Sequence, residues 1–415
     1  MFEMVASSPL HIQYYPAYDF DGELLGVRAI TYDGLPITVN GAAMKTKVFA
    51  YIGFPERFTP TTTGKMPGVI LVHGGGGHAF GCWVKMWNER GYAAIAIDTT
   101  GDFPEKPGCG TTEGRAGGTY IHGPQGIFAE DGYTAAPSNT RMQDCSQNPV
   151  DNHWMYHAVA DCLLAYRLLA SDERVDEDCI GVTGISWGSI ITSIVMGYNP
   201  KLKFAVPVYG AGYQGGACSL GYCGLFFRGA EVRRHYLAED RFENVKFPVL
   251  WLCSNDDCAF SIQPNSLSYR DTKNANSMTR LSIINQMGHC HTLGWEPPCI
   301  MNFADAAVYG NIQIPYIGDM TVGEQVECEI LWDGACTATL YYIDASMTYS
   351  KNGSHGQNNL ARIDQQWHTV PCFIENGRAS CPKPADAVGM YMELKTQLNG
   401  SQFVVCSQYV EIINS

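Results

Sequence analysis

Between residues 66 and 309, short apolar runs that end near glycine or polar residues alternate with longer segments of helical spacing. GVILVH at 68–73 leads into a glycine cluster, and YAAIAID at 92–98 is a second apolar run. Runs of this kind are typical of parallel strands buried on both faces. A helical segment, 79–91, separates them. The order strand–helix–strand predicts an α/β fold with a mostly parallel sheet flanked by helices.

The same alternation continues along the chain. Segment 153–171 has its apolar residues spaced as on one helix face, with Asp151 or Asn152 as the predicted N-cap. Further strands are predicted in CIGVTGIS (179–186), FAVPVYG (204–210), PVLWLCS (248–254) and LSIINQ (281–286). Residues 1–66 have strand character, whereas 100–150 are rich in Gly, Pro, Thr and Asn without periodicity. A loop of that length is usually functional, so we predict that it forms a pocket wall.

The pattern changes after about residue 309. Short β-rich runs separated by Gly, Asn, Ser and Pro fill residues 310–415, which predicts a small antiparallel β-sandwich following an α/β domain of residues 1–309. Aromatic residues in this segment would permit glycan binding, namely Trp332, Tyr341, Tyr342 and Trp367. A sandwich of this size also needs aromatic side chains for its core. The pattern leaves open whether the domain binds a glycan, packs a dimer or covers an edge of the larger domain.

Composition narrows the class of protein. The chain has 415 residues, 46% of them hydrophobic and 16% charged, and this length fits two domains. Low charge with abundant aromatic residues is the opposite of the composition of disordered chains. The net charge is −14, and a binding face for nucleic acid or an anionic membrane needs many Lys and Arg. We therefore expect neither as a partner.

The sequence predicts no membrane span and no export signal. The longest uncharged stretch, 179–200, is broken by glycines and serines and fits a strand, a turn and a helix. The N-terminus MFEMVASSPL has neither the basic segment nor the apolar core of a signal peptide, which favours the cytoplasm. Secretion with a leader that has been removed is the alternative.

Cysteine is abundant, with 16 residues. Most stand singly inside apolar strings, as free buried thiols do, so we predict reduced cysteines. The pairs Cys218/Cys223 and Cys253/Cys258 have four residues between their members rather than the two of common zinc sites. We expect no metal ion.

The sharpest local motif is G-I-S-W-G, from Gly184 to Gly188. It lies between a predicted strand and a predicted helix, which is the setting of a nucleophile elbow. Such a sharp turn brings backbone close to backbone, so small residues must flank the serine. The motif predicts Ser186 as a nucleophile.

A serine nucleophile needs hydrogen-bond donors for an oxyanion. The glycines between His73 and His78 follow a predicted strand, and we predict donation from the amides of Gly75 or Gly76 together with that of Trp187. A phosphate-binding loop is the alternative, but the G-K-[ST] ending is missing. We expect the two histidines to fix the loop through hydrogen bonds.

Candidates for the acid and the base follow two later strands. Asp256 and Asp257 follow one predicted strand, and His289 and His291 follow the next. In a serine triad the acid orients the imidazole, which takes the serine proton. Spacing leaves open which member of each pair acts. A metal site on the two histidines is not expected, because no third ligand has matching spacing.

Four segments together resemble a known family: 71–101, 151–171, 174–197 and 203–213. They are similar to the dienelactone-hydrolase-like and acetyl xylan esterase-like branch of the α/β-hydrolase superfamily, which includes members with an added C-terminal β domain. The likeness runs from about Val27 to Asp305 and continues more faintly beyond. It implies the α/β-hydrolase fold, a serine triad and no cofactor.

Carried over by motif, the resemblance assigns the nucleophile to Ser186. The family's Asn-Asp-x-x-Phe pattern is met at 255–260, which favours Asp257, with Asp256 as the alternative. His289 is favoured over His291 because it follows a Met-Gly turn. The chain departs from the family at Ser189, where a glycine is usual, and around 123–128, where the aromatic content differs and an insertion follows at 129–139.

These features together predict a serine carboxylic ester hydrolase that works through an acyl-enzyme on short acyl esters. The expected substrate is an acetylated plant-wall oligosaccharide, and a homo-oligomer is allowed. Tryptophans that would stack on sugar rings or fill the core are Trp83, Trp87, Trp154, Trp187 and Trp295. One alternative is a peptidase or amidase of the prolyl-oligopeptidase type, but this chain is too short for the usual additional domain. Another is a catalytically silent carbohydrate-binding protein, which the intact Ser, Asp and His set argues against.

Overall fold

The computed structural model describes residues 1–20, 26–108, 120–138, 149–214, 230–257, 259–347 and 366–412. Cys218, Cys223 and Cys258 of the cysteine pairs lie outside these residues, as does part of the predicted pocket wall at 100–150. The chain divides into two compact units. The first comprises Met1–Ala205 and Arg228–Tyr236, and the second comprises Val206–Phe227 and Leu237–Ser415.

The first unit contains a mixed sheet and five described α-helices. Its strands are β1 (Gln13–Tyr14), β2 (Val27–Asp33), β3 (Ile37–Val39), β4 (Ala42–Gly53), β5 (Met66–Val72), β6 (Ala93–Ile97), β7 (Asp102–Pro104), β8 (Tyr120–His122), β9 (Tyr133–Thr134) and β10 (Val175–Ile185). Its helices are α1 (Glu3–Ser7), α2 (Gly81–Glu89), α3 (Trp154–Ser171), α4 (Trp187–Tyr198) and α5 (Ala230–Tyr236). Short 3₁₀ turns occur at Pro16–Tyr18, Gly126–Phe128 and Val150–Asn152.

The sheet of the first unit has the order β1-β2-β4-β6-β5-β10. β5 pairs in parallel with both β6 and β10, whereas β1, β2, β4 and β6 pair antiparallel in succession. Every residue of β5 and β6 is buried, as expected for parallel strands covered on both faces. Gly184 of β10 lies opposite Val72 of β5. The loops that follow these strands, at 73–78 and 186, therefore leave the sheet at the same edge.

Helix α3 begins later than its sequence signals indicate. Asp151 and Asn152 are not the N-cap; His153 precedes the first helical turn, and its side chain makes no capping bond. Asp151 and Asn152 form part of a 3₁₀ turn, and their side chains bind Thr38 of β3 instead. The Thr38 hydroxyl donates to Asp151 at 3.1 Å. Asn152 Oδ1 accepts from the Thr38 amide and Asn152 Nδ2 donates to the Thr38 carbonyl, each at 2.9 Å. Tertiary contact thus overrode a local capping signal.

The interior of α3 holds a histidine that resists protonation. His157 is 1% exposed, and its Nε2–H donates to the Asp151 carbonyl at 2.7 Å. Its Nδ1 is buried with no hydrogen-bond partner in the described part of the chain. A proton on Nδ1 would place a buried charged donor without an acceptor. Burial accordingly lowers the pKa of His157 to about 4.

We expect His157 to make the protein less stable in acid. The unfolded chain binds this proton with a pKa of about 6.5 and the folded chain with a pKa of about 4, so the unfolded state gains protons first as the pH falls. Between about pH 7.5 and about pH 5, the free energy of unfolding should fall by about 2 kcal/mol through this residue. Urea denaturation at both pH values measures the loss. His157→Gln keeps a donor for Asp151 but does not titrate, so an unchanged pH slope in this variant would contradict the prediction.

The second unit begins with a parallel α/β portion. Its strands are β11 (Ala205–Val208), β12 (Leu250–Ser254) and β13 (Arg280–Ile284), and its helices are α6 (Ile262–Thr272), α7 (His291–Trp295) and α8 (Pro298–Tyr309). A 3₁₀ helix occurs at Glu239–Asn244. β12 pairs in parallel with both other strands, and Ser254 lies opposite Ile284. The loops after β12 and β13 therefore emerge side by side.

The remainder of the second unit is an antiparallel sheet. Its strands are β14 (Tyr316–Ile317), β15 (Thr321–Val322), β16 (Gln325–Leu331), β17 (Cys336–Asp344), β18 (His368–Glu375), β19 (Arg378–Pro382), β20 (Ala387–Leu398), β21 (Ser401–Cys406) and β22 (Val410–Glu411). The order is β14-β16-β19-β18-β17-β20-β21, and a 3₁₀ turn, Ala345–Met347, follows β17. The predicted fold class, a mostly parallel α/β part followed by an antiparallel β part, is confirmed. The division into domains at residue 309 stays a prediction.

Two of the four aromatic residues singled out in this sheet belong to its interior. Tyr341 is 7% exposed and Trp367 is 4% exposed, whereas Trp332 and Tyr342 are half-buried. None of the helices in the described ranges combines the length and the apolar character needed to cross a membrane.

Candidate active site

Ser186 lies at the junction of β10 and α4 with an unusual backbone. Its φ is 59° and its ψ is −117°, values that a residue with a Cβ rarely adopts. Its carbonyl accepts hydrogen bonds from the amides of Ser189 and Ile190, at 3.0 and 3.2 Å, which start the helix. Backbone strain of this kind collects at functional positions, where the surrounding structure holds it in place. The half-buried serine therefore lies on a rigid strand-to-helix turn.

The glycines of the motif are required by contact distances. A Cβ on Gly184 would lie 2.2 Å from the Gly188 carbonyl oxygen, and a Cβ on Gly188 would lie 2.0 Å from that of Val72. Both contacts are with backbone, which cannot rotate out of the way. The small residues in the motif thus allow α4 to begin directly against the end of β5.

We expect Gly188→Ala to lower the free energy of unfolding by about 3 kcal/mol or more, because the new methyl group overlaps the Val72 carbonyl. Gly64→Ala is the control. Gly64 has a φ of +82° but no atom within 4 Å of its would-be Cβ, so only backbone strain of about 1–2 kcal/mol is expected there. Urea denaturation followed by tryptophan fluorescence measures both. Equal losses would mean that α4 can move away from β5.

The loop after β5 is a tight turn beside the same junction. The Gly77 amide donates to the Gly74 carbonyl at 3.0 Å, and Gly76, with a φ of +72°, occupies the position that needs glycine. Gly75 and Gly76 are exposed. A Cβ on Gly75 would lie 2.8 Å from Cδ1 of Trp187, so the turn lies directly against the indole ring. The structure therefore brings together Gly75 and Trp187, two of the predicted oxyanion donors.

His73 holds this turn through a defined tautomer. The Thr99 amide donates to His73 Nε2 at 3.0 Å, so that nitrogen carries the lone pair. Nδ1 therefore carries the proton and donates to the Gly74 carbonyl at 2.8 Å. His78 is also buried, and its Nδ1 lies 2.8 Å from the Ala79 carbonyl. Both histidines make the loop-fixing contacts that the sequence predicted.

Asp257 and His289 meet in the second unit, on the loops after β12 and β13. His289 Nδ1 lies 2.8 Å from Asp257 Oδ2. The other carboxylate oxygen accepts from the amides of Ala259 and Phe260, at 2.7 and 3.0 Å. The Asp257 side chain is fully buried, whereas the His289 side chain is 17% exposed. Because the carboxylate accepts all three bonds, His289 carries its proton on Nδ1, and the lone pair of the neutral ring is on Nε2.

Asp256 and His291, the alternative candidates, occupy different places. Asp256 Oδ1 accepts from the Gly288 amide at 3.0 Å and from the Ser254 hydroxyl, and so ties together the two loops. His291 is the first residue of α7, and its ring lies 6.4 Å from that of Trp295. Of the four possible Asp–His combinations, the structure thus pairs Asp257 with His289.

Tyr209, which was not among the residues predicted from the sequence, supports the histidine ring. Tyr209 has a φ of 76°, and its ring lies 4.4 Å from that of His289, whose second neighbour is Phe260 at 5.7 Å. The Asn265 amide donates to the Tyr209 carbonyl at 2.7 Å. A tyrosine at the end of a buried strand gave no signal of this role. Phe260, in contrast, was part of the family pattern.

The five tryptophans considered for sugar stacking are all buried, with exposed fractions of 8% or less. Trp187 contacts both the glycine turn and Trp154, whose ring centre lies 5.4 Å away. Within the ranges that the structure covers, no three His, Cys, Asp or Glu side chains are grouped to hold a metal ion.

Neither a protein-family model nor a curated protein sequence matches the chain. Solved structures resemble it in fold. Acetyl xylan esterase from Paenibacillus sp. R4 is 19% identical with a TM-score of 0.49, and the match covers 73% of this chain and 90% of that one. Acetyl xylan esterase 1 from Thermoanaerobacterium sp. JW/SL YS485 is 16% identical with a TM-score of 0.46, covering 73% and 89%.

Acylaminoacyl peptidase from Pyrococcus horikoshii is also similar, at 16% identity and a TM-score of 0.44, with 65% of this chain and 39% of that one covered. These solved structures include two esterases and a peptidase, at 16–19% identity and with TM-scores below 0.5.

Proposed function

We propose that the protein is a serine carboxylic ester hydrolase in which Ser186, His289 and Asp257 form the catalytic triad. The observation that carries the proposal is the Asp257–His289 hydrogen bond, which leaves the lone pair of the imidazole on Nε2. The chain also presents Ser186 on a strained strand-to-helix turn, the backbone geometry of a nucleophile elbow. A base with the correct tautomer and an elbow serine are the two parts that acyl transfer requires.

The proposed chemistry follows from these atoms. His289 Nε2 takes the proton from the Ser186 hydroxyl while the serine oxygen attacks the ester carbonyl carbon. The imidazolium then gives that proton to the departing alcohol oxygen, and an acyl-enzyme remains on Ser186. Water attacks the acyl group with the same assistance and releases the carboxylic acid. Asp257 stays ionised throughout and stabilises the imidazolium, because two backbone amides and His289 already satisfy its oxygens.

We propose the amides of Gly75 or Gly76 and of Trp187 as the oxyanion donors. The amide of Trp187 lies at the N-terminus of α4, where the helix dipole favours negative charge. The contact between Gly75 and the Trp187 ring sets the turn beside this amide. Each such donor is typically worth about 10²–10³ in rate.

For the substrate we propose short acyl esters, with acetylated plant-wall oligosaccharides as the first to be examined. The support is the resemblance of the sequence to acetyl xylan esterase-like enzymes. The residues between 100 and 150, which we propose as part of the pocket wall, depart from that family in their aromatic content and in an insertion. A peptidase or amidase uses the same triad, so the leaving group is what an experiment must identify.

The test measures acetate release from acetylated xylo-oligosaccharides and hydrolysis of p-nitrophenyl acetate, with an aminoacyl p-nitroanilide in parallel. Release from the sugar and the nitrophenyl ester, but not the anilide, is the expected result. Hydrolysis of the nitrophenyl ester alone would keep the mechanism and reject the sugar substrate. Anilide cleavage would indicate a peptidase. No hydrolysis, together with no labelling of Ser186 by a fluorophosphonate, would overturn the proposal and favour the binding-protein alternative.

A further inference from the structure

Asn255, the residue between Ser254 and Asp256, uses its backbone and its side chain in hydrogen bonds to the end of β13 and the loop that follows it. Its side-chain Nδ2 donates to Asn285 Oδ1 at 2.9 Å, and its Oδ1 accepts from the Gln286 amide at 2.9 Å. Its own amide donates to the Ile284 carbonyl at 3.3 Å. Asn255 is 5% exposed. It therefore fixes the loop after β12, which carries Asp257, against the loop after β13, which carries His289.

Two residues of the C-terminal sheet complete the bonds of Asn255. The indole Nε1–H of Trp367, immediately before β18, donates to the Asn255 carbonyl at 3.1 Å. The Tyr391 hydroxyl oxygen, on β20, accepts from Asn255 Nδ2 at 3.1 Å. Both side chains are buried, at 4% and 0% exposed. These are two direct hydrogen bonds from the β part of the chain to the segment that contains the proposed catalytic acid.

The two aromatic side chains are themselves held firmly. The ring of Tyr391 is parallel to that of Tyr341 within 1°, with ring centres 5.1 Å apart. The Trp367 ring lies 5.3 Å from the Tyr391 ring, centre to centre, and the two ring planes make an angle of 64°. Packed aromatic rings of this kind lose little freedom when they bind, so their polar atoms are well-fixed anchors. An anchor that is rigid on the sheet side can transmit position to Asn255.

From Asn255 the path to the proposed catalytic pair is short. On the residues flanking it, Ser254 Oγ accepts from the Met287 amide at 3.0 Å and Asp256 Oδ1 accepts from the Gly288 amide at 3.0 Å. The next residue along, Asp257, binds His289 at 2.8 Å. Each residue from 254 to 257 thus binds a residue between 284 and 289, and the Asp257–His289 bond joins the last residues of the two segments.

We infer that Trp367 and Tyr391 are positioning residues for catalysis: by holding Asn255, the C-terminal sheet sets the orientation of the Asp257–His289 pair. This inference rests on the proposed function and deepens it. The C-terminal sheet then has a direct part in the chemistry of the α/β site, which differs from glycan binding or dimer packing. Misplacing a catalytic group by a fraction of an ångström lowers turnover strongly without necessarily changing substrate binding.

The experiment compares Tyr391→Phe and Trp367→Phe with Tyr341→Phe. Tyr391→Phe deletes only the hydroxyl oxygen that accepts from Asn255, and Trp367→Phe deletes the indole N–H that donates to it. Tyr341→Phe is the control: it deletes the hydroxyl of the ring stacked on Tyr391 and leaves the bonds of Asn255 in place. Esterase turnover is measured with p-nitrophenyl acetate and normalised to sites labelled by a fluorophosphonate. In parallel, low-field proton NMR follows the His289 Nδ1 proton, identified by its absence in His289→Gln.

For Tyr391→Phe and Trp367→Phe we expect kcat per labelled site to fall about tenfold with KM within about twofold, and the Nδ1 proton signal to shift or broaden. Tyr341→Phe should keep the wild-type kcat and signal. Wild-type kcat and signal in both test variants, or an equal loss in Tyr341→Phe, would overturn the inference while the proposed function stands. If the wild type neither hydrolyses esters nor labels at Ser186, the proposed function fails, and the proton signal alone then decides whether the sheet positions His289.

Discussion

Ser186→Ala is expected to lower kcat for p-nitrophenyl acetate by about 10⁴–10⁶-fold, because the variant has no oxygen to form the acyl-enzyme. KM should change little, since a missing hydroxyl removes no contact with the acyl chain or the alcohol. The remaining rate comes from the oxyanion donors and from substrate positioning. Steady-state kinetics measures the loss, and the absence of covalent labelling by a fluorophosphonate shows that the nucleophile itself is gone.

Ser186→Gly separates the chemistry of this residue from its strain. Glycine adopts a φ of 59° without the Cβ contact, so this variant should be as inactive as Ser186→Ala but more stable by about 1 kcal/mol. Ser186→Ala keeps the strain and should unfold at nearly the wild-type urea concentration. Activity retained by either variant would remove Ser186 from the mechanism. A glycine variant no more stable than the alanine variant would mean that the turn holds no strain at this residue.

Much of the α/β part was predictable because its strands are buried on both faces. Every residue of β5 and β6 is buried, so both strands appear in the sequence as continuous apolar runs. The elbow was predictable for a related reason: only glycine fits where a Cβ on Gly188 would meet the Val72 carbonyl at 2.0 Å. Where a backbone contact admits one residue type, the sequence alone identifies the position.

Features that depend on distant partners were not predictable. The N-cap of α3 looked like Asp151 or Asn152, but both side chains bind Thr38, more than a hundred positions away along the chain. The strand order of the C-terminal sheet is a second example, because it depends on the pairing of the short strand β19 with both β16 and β18. Local signals carry no information about such partners.

The C-terminal sheet shows the same limit at the level of function. From the sequence, Trp367 was a candidate for a glycan surface as well as for a core, because both use aromatic residues. The structure buries it and directs its indole donor to the Asn255 carbonyl. The Asn-Asp-x-x-Phe pattern identified Asn255 as part of a motif but did not reveal what the asparagine binds. A hydrogen bond across 112 residues of sequence depends on the folded topology.

Asp257→Asn should lower kcat by about 10⁴-fold, because the amide reverses the tautomer of His289. The side-chain oxygen of the new asparagine is expected to keep the hydrogen bonds from the amides of Ala259 and Phe260, so its NH₂ group faces His289 Nδ1. An NH₂ group only donates, so Nδ1 must accept and the ring proton must move to Nε2. The base then has no lone pair where the serine proton should go. Steady-state kinetics near neutral pH measures the loss.

Asp256→Asn is the matched control for that prediction. The same chemical change at the neighbouring position keeps an oxygen for the Gly288 amide and the Ser254 hydroxyl, so we expect kcat within about tenfold of the wild type. The two variants differ in one respect only: which of them faces the imidazole. If Asp256→Asn were the more damaging, the acid of the triad would be Asp256, and the Asp257–His289 bond would be structural. A comparable loss of kcat in both variants would mean that catalysis depends on the geometry of the whole loop more than on which nitrogen of His289 carries the proton.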